Sequence, residues 1–335
     1  MDDLKINNFS GTGKTTTLAA AVLSCVSNND TCLVVAPSHV ACDAVTCAIT
    51  DHWPGGGHVS GQVVRLANKL RLTMRHVEQY LPENVSRCQE LHNLDHQLRW
   101  TRSQLLENYS HRGDTLEEEE MLVNKYRNVY IEHEDEVIKK AKVVVCTLLT
   151  AMKSSILRLI RRKHFSVVCV DEAGFCGDSQ LLPVILHADR VIMAGDHLQL
   201  PPVVLSNGAR VKGLDVSLME RIAGTCPPET VSLLTTQYRS HEVISGWSSL
   251  HFYGGQLTAH PDNADLAIGQ VPPLLWLDTA GEGEGWAEDA EDESVSNVGE
   301  AVVVADLVNK MVSQGVEQGH IGVISPYWAQ VALIR

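Results

Sequence analysis

Short apolar runs rich in β-branched residues constrain the fold of this chain more than any other sequence feature. They occur at 31–36, 62–66, 143–146, 167–170 and 191–194. Longer stretches with apolar residues at helical spacing separate them. Strands that are apolar on both faces and alternate with helices are typical of a parallel sheet covered by helices on both sides. The sequence therefore predicts an α/β fold.

The chain has 335 residues, a length that suggests about two domains. A Gly-Thr-Cys-Pro-Pro segment at 224–228 predicts the boundary between them. We therefore expect a first domain over 1–226 and a second over 227–335. In the second domain we expect strands at 231–234, 274–277 and 321–324, and helices at 242–251 and 299–312.

The first domain is predicted to contain an inserted α-hairpin over 70–141. This stretch has few glycines and prolines and many charged residues, and its apolar residues recur at helical spacing. These residues are Leu91, Leu94, Leu98 and Leu105 in the first helix, and Leu122, Tyr126, Val129 and Val137 in the second. We interpret the insertion as a structural appendage rather than a catalytic element.

A glycine-rich segment before the first predicted helix (16–27) has the pattern of a phosphate-binding loop. Its residues are Gly11, Thr12, Gly13, Lys14, Thr15 and Thr16. Backbone N–H groups in such a turn, together with the helix N-terminus, bind the β- and γ-phosphates of a nucleotide. Lys14 would supply a positive charge, and Thr15 a hydroxyl for Mg²⁺. Asn8 stands where the full pattern has glycine, and asparagine tolerates positive φ better than most residues.

Two carboxylates, Asp171 and Glu172, directly follow the apolar run at 167–170. An aspartate at a strand tip can hold Mg²⁺, usually through water, and the glutamate can orient or deprotonate an attacking water. A strand ending in Asp-Glu is common on its own account. Together with the phosphate-binding loop, however, the pair predicts a metal site at Asp171 and a catalytic base at Glu172.

Two more segments carry side chains suited to nucleotide chemistry. The segment 195–202, Gly-Asp-His-Leu-Gln-Leu-Pro-Pro, follows an apolar strand, and its Gln199 could bond a γ-phosphate oxygen or the lytic water. Tyr238 offers a ring that could stack on a purine, and Arg239 a guanidinium that could reach a γ-phosphate. An arginine finger of that kind is typically worth about 10³–10⁵ in turnover.

Charge and composition exclude several classes of protein. The 41 acidic and 27 basic residues give a net charge of −14, but the acid is concentrated in blocks at 117–120 and 282–293, so the total says little about any one groove. The sequence has neither an apolar run of the ~18 residues that a membrane span needs nor a secretory signal. Nine scattered cysteines are typical of reduced thiols in an intracellular protein.

Six of these segments, in their order, resemble the motifs of superfamily 1 helicases of the subgroup that contains the nonsense-mediated-decay helicase and senataxin. The segments are 11–17 for motif I, 36–43 for Ia, 144–150 for Ic, 170–174 for II, 195–202 for III and 235–244 for IV. The resemblance covers most of the chain apart from the helical insertion.

This resemblance implies a P-loop NTPase with tandem RecA-like domains, the second of them incomplete, and ATP bound between the two. It implies translocation along single-stranded RNA or DNA with 5′→3′ polarity, ribonucleoprotein partners, and a location in the cytoplasm, the nucleus or both. Lys14 and Thr15 would bind phosphate and Mg²⁺. Asp171 and Glu172 would carry out hydrolysis, and Gln199 would sense the γ-phosphate. Tyr238 would stack on adenine, and Arg239 would act as the finger. Ser38 and Thr147 would contact the nucleic-acid backbone, which carries no sequence information.

The sequence also departs from the family pattern. Asn8-Phe9-Ser10 replaces the Gly-Pro-Pro of motif I, and motifs V and VI would follow Arg335. We therefore expect the chain to be a fragment or an incomplete gene model of a helicase. Two alternatives stay open from the residues alone: a nucleotide- or partner-binding module without turnover, and a P-loop ATPase outside the helicases. The second alternative leaves the segments at Gln199 and Tyr238 unexplained.

Overall fold

A computed structural model of the chain describes residues 5–7, 11–54, 61–66, 89–107, 112–265, 272–280, 286–291 and 294–335. The described residues form two compact units, Met1–Gln237 and Tyr238–Arg335. The strands are β1 (Lys5–Asn7), β2 (Cys32–Ala36), β3 (Val63–Leu66), β4 (Val143–Thr147), β5 (Phe165–Val170), β6 (Ala188–Gly195), β7 (Val231–Leu233), β8 (Thr236–Gln237), β9 (Thr258–Ala259), β10 (Asp289–Glu291) and β11 (Ser294–Ser296).

The α-helices of the described residues follow in the same order along the chain. They are α1 (Lys14–Ser27), α2 (His39–Asp51), α3 (Gln89–Glu107), α4 (Arg112–Lys140), α5 (Leu148–Ala151), α6 (Ser154–Lys163), α7 (Asp178–Ile185), α8 (Asn207–Val211), α9 (Leu218–Ala223), α10 (Glu242–Phe252), α11 (Val298–Ser313) and α12 (Trp328–Ile334). None of the helices in the described ranges has the length and apolar composition needed to cross a bilayer.

The first unit contains a seven-stranded sheet in the order β3-β4-β2-β5-β6-β1-β7. All of its strands run parallel. The five predicted strands are all present, within three residues of their predicted ends. The predicted α/β fold with a parallel sheet is therefore confirmed.

The sheet is buried on both faces, which explains why its strands read as continuous apolar runs rather than alternating ones. In β2, Leu33 and Val35 pack into one apolar cluster, whereas Cys32, Val34 and Ala36 pack into the cluster on the other side. All five side chains are fully buried. Helices α1 and α2 contribute Leu18, Val22 and Val45, among others, to the second cluster. The first unit is thus a three-layer domain with the sheet in the middle.

Cysteine thiols form part of this core. Six of the eight cysteines in the described residues are buried, at positions 25, 32, 42, 146, 169 and 176. The thiol of Cys25 is hydrogen-bonded to that of Cys32, and this bond together with burial raises its pKa. Burial raises the pKa of Cys42 to about 11 and that of Cys176 to about 12. At neutral pH these shifts favour the protonated thiol over the thiolate.

The predicted helical insertion lies between β3 and β4 in the chain. Helices α3 and α4 pack against each other, and Leu91, Leu94 and Leu98 are buried. The guanidinium Nε of Arg102 lies 2.6 Å from Glu119 Oε1 across the pair. The two-helix architecture is confirmed over these residues, and positions 70–88 of the predicted insertion lie outside the described residues.

In the second part of the chain, some predicted elements are present and others are wrong. Helices α10 and α11 match the predicted segments 242–251 and 299–312. The segments 274–277 and 321–324 are not strands, because an apolar run becomes a strand only when a neighbouring strand pairs with its backbone. The segment at 231–234 does contain a strand, β7, but it pairs with β1 of the first sheet, and the compact unit extends to Gln237.

Candidate functional site

The carboxyl edge of the parallel sheet brings together three of the predicted motifs. Strands β5, β6 and β1 are neighbours, and Asn7 at the end of β1 lies in register with Gly195 at the end of β6. The glycine-rich loop follows β1, Asp171 follows β5, and Asp196 follows β6. Ligands of open parallel sheets bind at this edge. The loop, the carboxylates and the Gly-Asp segment therefore share one site.

The glycine-rich loop has the backbone conformation of an anion cradle. Gly11 and Gly13 adopt φ values of +91° and +83°, a region that favours glycine. Helix α1 begins at Lys14, two residues before its predicted start, so the N–H groups of its first turn have no carbonyl partner within the helix. A Cβ placed on Gly13 would find open space. Asn8, the departure from the loop pattern, lies outside the described residues.

Four polar side chains meet at the start of α1 and the end of β5. The Thr15 hydroxyl Oγ1 donates to Asp171 Oδ2 at 3.2 Å. The Lys14 ammonium lies 3.9 Å from Glu172 Oε2, and Lys14 is 7% exposed. A hydroxyl and a carboxylate side by side are the oxygen ligands that Mg²⁺ prefers in nucleotide sites. These residues therefore fit a magnesium ion beside the phosphate cradle.

Asp171 is almost completely buried, and its environment disfavours its charge. Burial, with the neighbouring charge of Glu172, raises the pKa of Asp171 to about 6. The backbone N–H of Glu172, which donates to Asp171 Oδ1 at 3.0 Å, acts in the opposite direction, as do Thr15 and Lys14. A cation bound at this carboxylate would relieve the penalty of burying it, because it would supply the missing positive charge.

Glu172 adopts an unusual backbone conformation directly after the buried aspartate. Its φ of 53° and ψ of 41° are left-handed, which is uncommon for a residue other than glycine, asparagine or aspartate. Strained backbone of this kind clusters at functional sites. Here it starts a short 3₁₀ turn, Ala173–Phe175, and leaves the Glu172 side chain 46% exposed beside Lys14. A half-exposed carboxylate in this position can accept a proton from a water molecule.

The Gly-Asp segment after β6 is held by a residue that the sequence analysis did not single out. Asp196 is 5% exposed; its Oδ1 accepts the backbone N–H of Leu198 at 3.0 Å, and its Oδ2 accepts Nε2 of Gln199 at 2.6 Å. The side chain of the predicted sensor Gln199 is therefore tied back to its own turn. The sequence signal for Asp196 was its place directly after an apolar strand.

Ser38 and Thr147, the predicted nucleic-acid contacts, both cap helices in the structure. Ser38 Oγ accepts the N–H of Ala41 at 3.1 Å at the start of α2. Thr147 Oγ1 accepts the N–H of Thr150 at 3.2 Å at the start of α5. Strands β2 and β4 are neighbours, with Ala36 and Thr147 in register. The two hydroxyls thus lie at the same sheet edge as the glycine-rich loop, at the ends of adjacent strands.

A buried arginine fixes the start of α2. Arg65, at the end of β3, is fully buried, and its Nε donates to Asp43 Oδ1 at 3.0 Å. Its Nη1 donates to the carbonyl of Leu66 at 2.7 Å, and its Nη2 lies 3.1 Å from Nδ1 of His39. Because arginine only donates, His39 Nδ1 accepts this bond. The helix that Ser38 caps is therefore anchored to the sheet by a charged pair.

Tyr238 and Arg239 open the second unit. The Tyr238 ring is 57% exposed and lies 4.8 Å, centroid to centroid, from the ring of His260, at a tilt of 33°. Arg239 is exposed as well. The predicted roles of these two residues toward a nucleotide remain predictions.

Comparison with known proteins places these features in a family context. The AAA domain model AAA_11 matches residues 67–207, and the AAA domain model AAA_12 matches residues 214–335. The DNA-binding protein SMUBP-2 of Rattus norvegicus is 33% identical, with 97% of this chain and 34% of that protein covered. The regulator of nonsense transcripts 1 homolog of Drosophila melanogaster is 30% identical, with 97% and 26% covered.

The DNA polymerase alpha-associated DNA helicase A of Saccharomyces cerevisiae is 25% identical, with 97% of this chain and 52% of that protein covered. Among solved structures, an arterivirus nonstructural protein 10 (helicase) in complex with DNA gives a TM-score of 0.40 at 12% identity, over 82% of this chain and 46% of that one. The chain spans about a third of the length of the rat relative and about half that of the yeast relative. The chain therefore matches two AAA domain models in succession and is similar, over nearly its whole length, to superfamily 1 helicases.

Proposed function

We propose that this chain forms the motor core of an ATP-dependent helicase that translocates 5′→3′ along single-stranded RNA or DNA. The observation that carries the proposal is the cluster at the sheet edge, where Lys14 and Thr15 at the start of α1 meet Asp171 and Glu172 after β5. A phosphate cradle, a metal-ligand pair and a half-exposed base are the parts that phosphoryl transfer to water requires.

The mechanism follows from these contacts. The N–H groups of the loop and of the first turn of α1, residues 11–16, bind the phosphates of ATP, and Lys14 binds their negative charge. Thr15 and Asp171 would hold Mg²⁺, which would neutralise charge on the phosphates. In the structure Lys14 faces Glu172 at 3.9 Å. When Lys14 binds phosphate instead, Glu172 is left to orient the attacking water and accept its proton.

The remaining predicted residues have supporting roles in this proposal. Gln199 senses the γ-phosphate, and its hydrogen bond to the buried Asp196 positions its side chain. Tyr238 stacks on adenine, and Arg239 acts as the arginine finger. Ser38 and Thr147 lie at the starts of α2 and α5, at the sheet edge. Backbone N–H groups there can bind successive phosphates of a strand without reading its bases. Such a motor would work on ribonucleoprotein or DNA substrates in the cytoplasm or the nucleus.

The test is ATP hydrolysis by the purified chain, with and without single-stranded RNA or DNA. We expect multiple turnover that rises when a strand is added, and a loss of at least about a hundredfold in Lys14→Ala, because a charged group that stabilises the transition state is removed. Lys212→Ala, an exposed lysine on the surface, is the matched control and should hydrolyse ATP at the wild-type rate.

An unchanged rate in Lys14→Ala would overturn the proposal. ATP binding without turnover would favour the alternative of a nucleotide-binding module. Polarity is measured separately, by displacement of a fluorescent strand from duplexes with a 5′ or a 3′ single-stranded tail, and displacement only from the 3′-tailed duplex would contradict the 5′→3′ assignment.

A further inference from the structure

The stretch between Glu136 and Asp171 concentrates positive charge in a chain that is acidic as a whole. It contains eight of the 27 lysines and arginines and no aspartate or glutamate, whereas the chain has a net charge of −14. A local cluster of one sign creates a potential that attracts partners of the opposite sign, whatever the net charge. The stretch is therefore the part of the sequence that is best suited to a polyanion.

The fold places many of these cations at the amino edge of the parallel sheet. Helix α4 ends at Lys140, just before β4, and α6 ends at Lys163, just before β5. Strands β4 and β5 both pair with β2, and β6 pairs with β5. Because these strands are parallel and about 4.8 Å apart, the residues that precede them lie in a row along one edge. The glycine-rich loop follows a strand and lies at the opposite, carboxyl edge.

Three of the cations are held along this row by neutral partners. Lys142 Nζ donates to Oδ1 of Asn29, in the turn before β2, at 2.7 Å. Lys163 Nζ donates to three backbone carbonyls at the end of α4, at 2.6–2.8 Å. Arg161 Nε donates to Nε2 of His187, the residue before β6, at 3.1 Å. The row therefore runs along the starts of β4, β2, β5 and β6.

Four cations on this row form what we call the basic edge: Lys142, Arg161, Arg162 and Lys163. None of them forms an ion pair with a carboxylate of the described residues, whereas Asp135 pairs with the neighbouring Lys139, and Asp30 with Arg190. Burial and the nearby charge of Lys142 lower the pKa of Lys163 to about 8. The fold thus holds like charges together without a counter-charge, and a bound anion would relieve their repulsion.

Helix α6 presents its arginines to solvent and its apolar side chains to the core. Ile156, Leu159 and Ile160 are buried, whereas Arg161 and Arg162 are exposed. Its apolar face is therefore not available to enter a lipid surface or to form the apolar centre of a protein interface. Exposed guanidinium groups fit phosphates, which they bind through pairs of parallel hydrogen bonds.

The contacts of the basic edge favour a duplex over a single strand. Sites for single strands add exposed aromatic rings on which the bases stack. Here Lys163 lies over the ring of Phe165, with Nζ 5.5 Å from the ring centroid, and that ring is fully buried. A duplex is held by its phosphates alone and carries one negative charge per about 1.7 Å of its axis.

We propose that the basic edge binds the phosphate backbone of a nucleic-acid duplex, at the edge of the sheet opposite the nucleotide site. Arg161 and Arg162 contact the phosphates, and Lys142 and Lys163 add positive charge behind them. The inference rests on the proposed function for the identity of the polyanion. It adds to that function a second contact surface, which reads no bases.

The experiment measures binding of the full chain to a fluorescein-labelled blunt-ended duplex and to a single strand of the same length, by fluorescence anisotropy over a range of salt concentrations. Arg161→Gln combined with Arg162→Gln should weaken duplex binding by about 2- to 30-fold, the effect of losing two exposed ion pairs. The slope of log K against log salt concentration should become shallower by about two. Affinity for the single strand, and ATP hydrolysis in its presence, should stay at the wild-type level.

Arg99→Gln combined with Lys310→Gln is the matched control. It removes one exposed cation from α3 and one from α11, and so changes the net charge equally. This variant should bind the duplex as wild type does. Thermal melts show whether each variant is folded.

Three outcomes would overturn the duplex surface. They are an unchanged duplex affinity and salt slope in the arginine double variant, an equal loss for duplex and single strand, and a failure of wild type to bind the duplex. Tighter binding of polyglutamate than of the duplex at the same salt concentration would also overturn it, and would assign the basic edge to an acidic protein. If duplex binding behaves as expected but no single strand stimulates ATP hydrolysis, the basic edge stands and the proposed function falls.

Discussion

Gly174 and Asp196 meet backbone to backbone: a Cβ at position 174 would lie 2.4 Å from the carbonyl oxygen of Asp196. The reverse contact is as close, because a Cβ on Gly195 would lie 2.7 Å from the backbone nitrogens of Ala173 and Gly174. The turn after Asp171 and the turn after β6 are thus packed against each other without space for a methyl group. Neither turn can therefore shift toward the other without a backbone clash.

We expect Gly174→Ala to lower the free energy of unfolding by at least about 1–3 kcal/mol, because backbone cannot yield to the added methyl as a flexible side chain can. Turnover should fall with it, because the two turns carry Glu172 and Gln199. Urea denaturation and ATPase assays measure the two effects. Gly246→Ala is the contrasting change. Gly246 lies within α10, and apart from the helix's own backbone no atom lies within 4 Å of the added Cβ. Alanine favours a helix over glycine by up to about 1 kcal/mol. A Gly174→Ala variant as stable as wild type would contradict this packing.

The raised pKa of Asp171 predicts a pH-dependent stability in the absence of Mg²⁺. Its pKa is about 6 in the fold, against an ordinary value of 3.8, so the folded state loses stability as the pH rises through 6. The total penalty is about 3 kcal/mol, of which about 1.4 kcal/mol develops between pH 5 and pH 8. Asp171→Asn removes this penalty. We therefore expect the free energy of unfolding of Asp171→Asn, relative to that of wild type, to rise by about 1.4 kcal/mol between pH 5 and pH 8.

Urea denaturation in the presence of EDTA measures this gain. Asp306→Asn, at an exposed position of α11, should show no such gain. Added Mg²⁺ and ATP should stabilise wild type more than Asp171→Asn. A difference between wild type and Asp171→Asn that does not vary with pH would refute the assignment of the buried charge.

The bond between Asp196 and Gln199 predicts that the two side chains act as a unit in turnover. If Asp196 holds Gln199 in its working position, Asp196→Ala and Gln199→Ala should each slow ATP hydrolysis, and the double variant should be little slower than the slower single one. A charge-assisted hydrogen bond of 2.6 Å supports a coupling of about 1.5–3 kcal/mol. Gln314→Ala, exposed at the end of α11, serves as control, and additive effects would show that the two residues act independently.

The buried pair of Arg65 and Asp43 predicts that a single substitution lowers the free energy of unfolding much more than the double substitution does. Both side chains are at most 9% exposed. Arg65→Met should cost about 3–5 kcal/mol in unfolding free energy, because it leaves the buried Asp43 carboxylate without its counter-charge. Arg65→Met combined with Asp43→Leu should be much less destabilising than the single change. Denaturant midpoints at neutral pH measure both, and equal losses in the two variants would contradict the pairing.

Much of the first unit could be predicted from the sequence because its strands are buried on both faces. A run such as 167–170 has to be apolar at every position to lie inside a three-layer domain, and so it is visible without a structure. The weaker strands β1 and β7 have three residues each, and the membership of β7 in the first sheet depends on pairing with β1, which no local pattern encodes. For the same reason the apolar segments at 274–277 and 321–324 were wrongly predicted as strands.

Some features of the candidate site could likewise be predicted from the sequence, and others could not. The glycine-rich loop and the Asp171-Glu172 pair are local patterns, and the contact between Thr15 and Asp171 follows from the order of the strands. The bond from Gln199 to Asp196 and the close approach of Gly174 depend on where two turns meet in space. The caps at Ser38 and Thr147 carry a local signal, since serine and threonine are preferred before a helix.

Alkylation of the buried thiols can report local opening of the first unit. A thiol reagent modifies the thiolate, and the thiols at 42, 146 and 176 are both shielded and protonated in the fold. They lie in a helix (Cys42 in α2), a strand (Cys146 in β4) and the turn after β5 (Cys176), whereas Cys47 and Cys226 are partly accessible. The order in which alkylation reaches these positions therefore reports which layer of the domain loosens first, and a bound nucleotide that braces the sheet edge would delay the whole series.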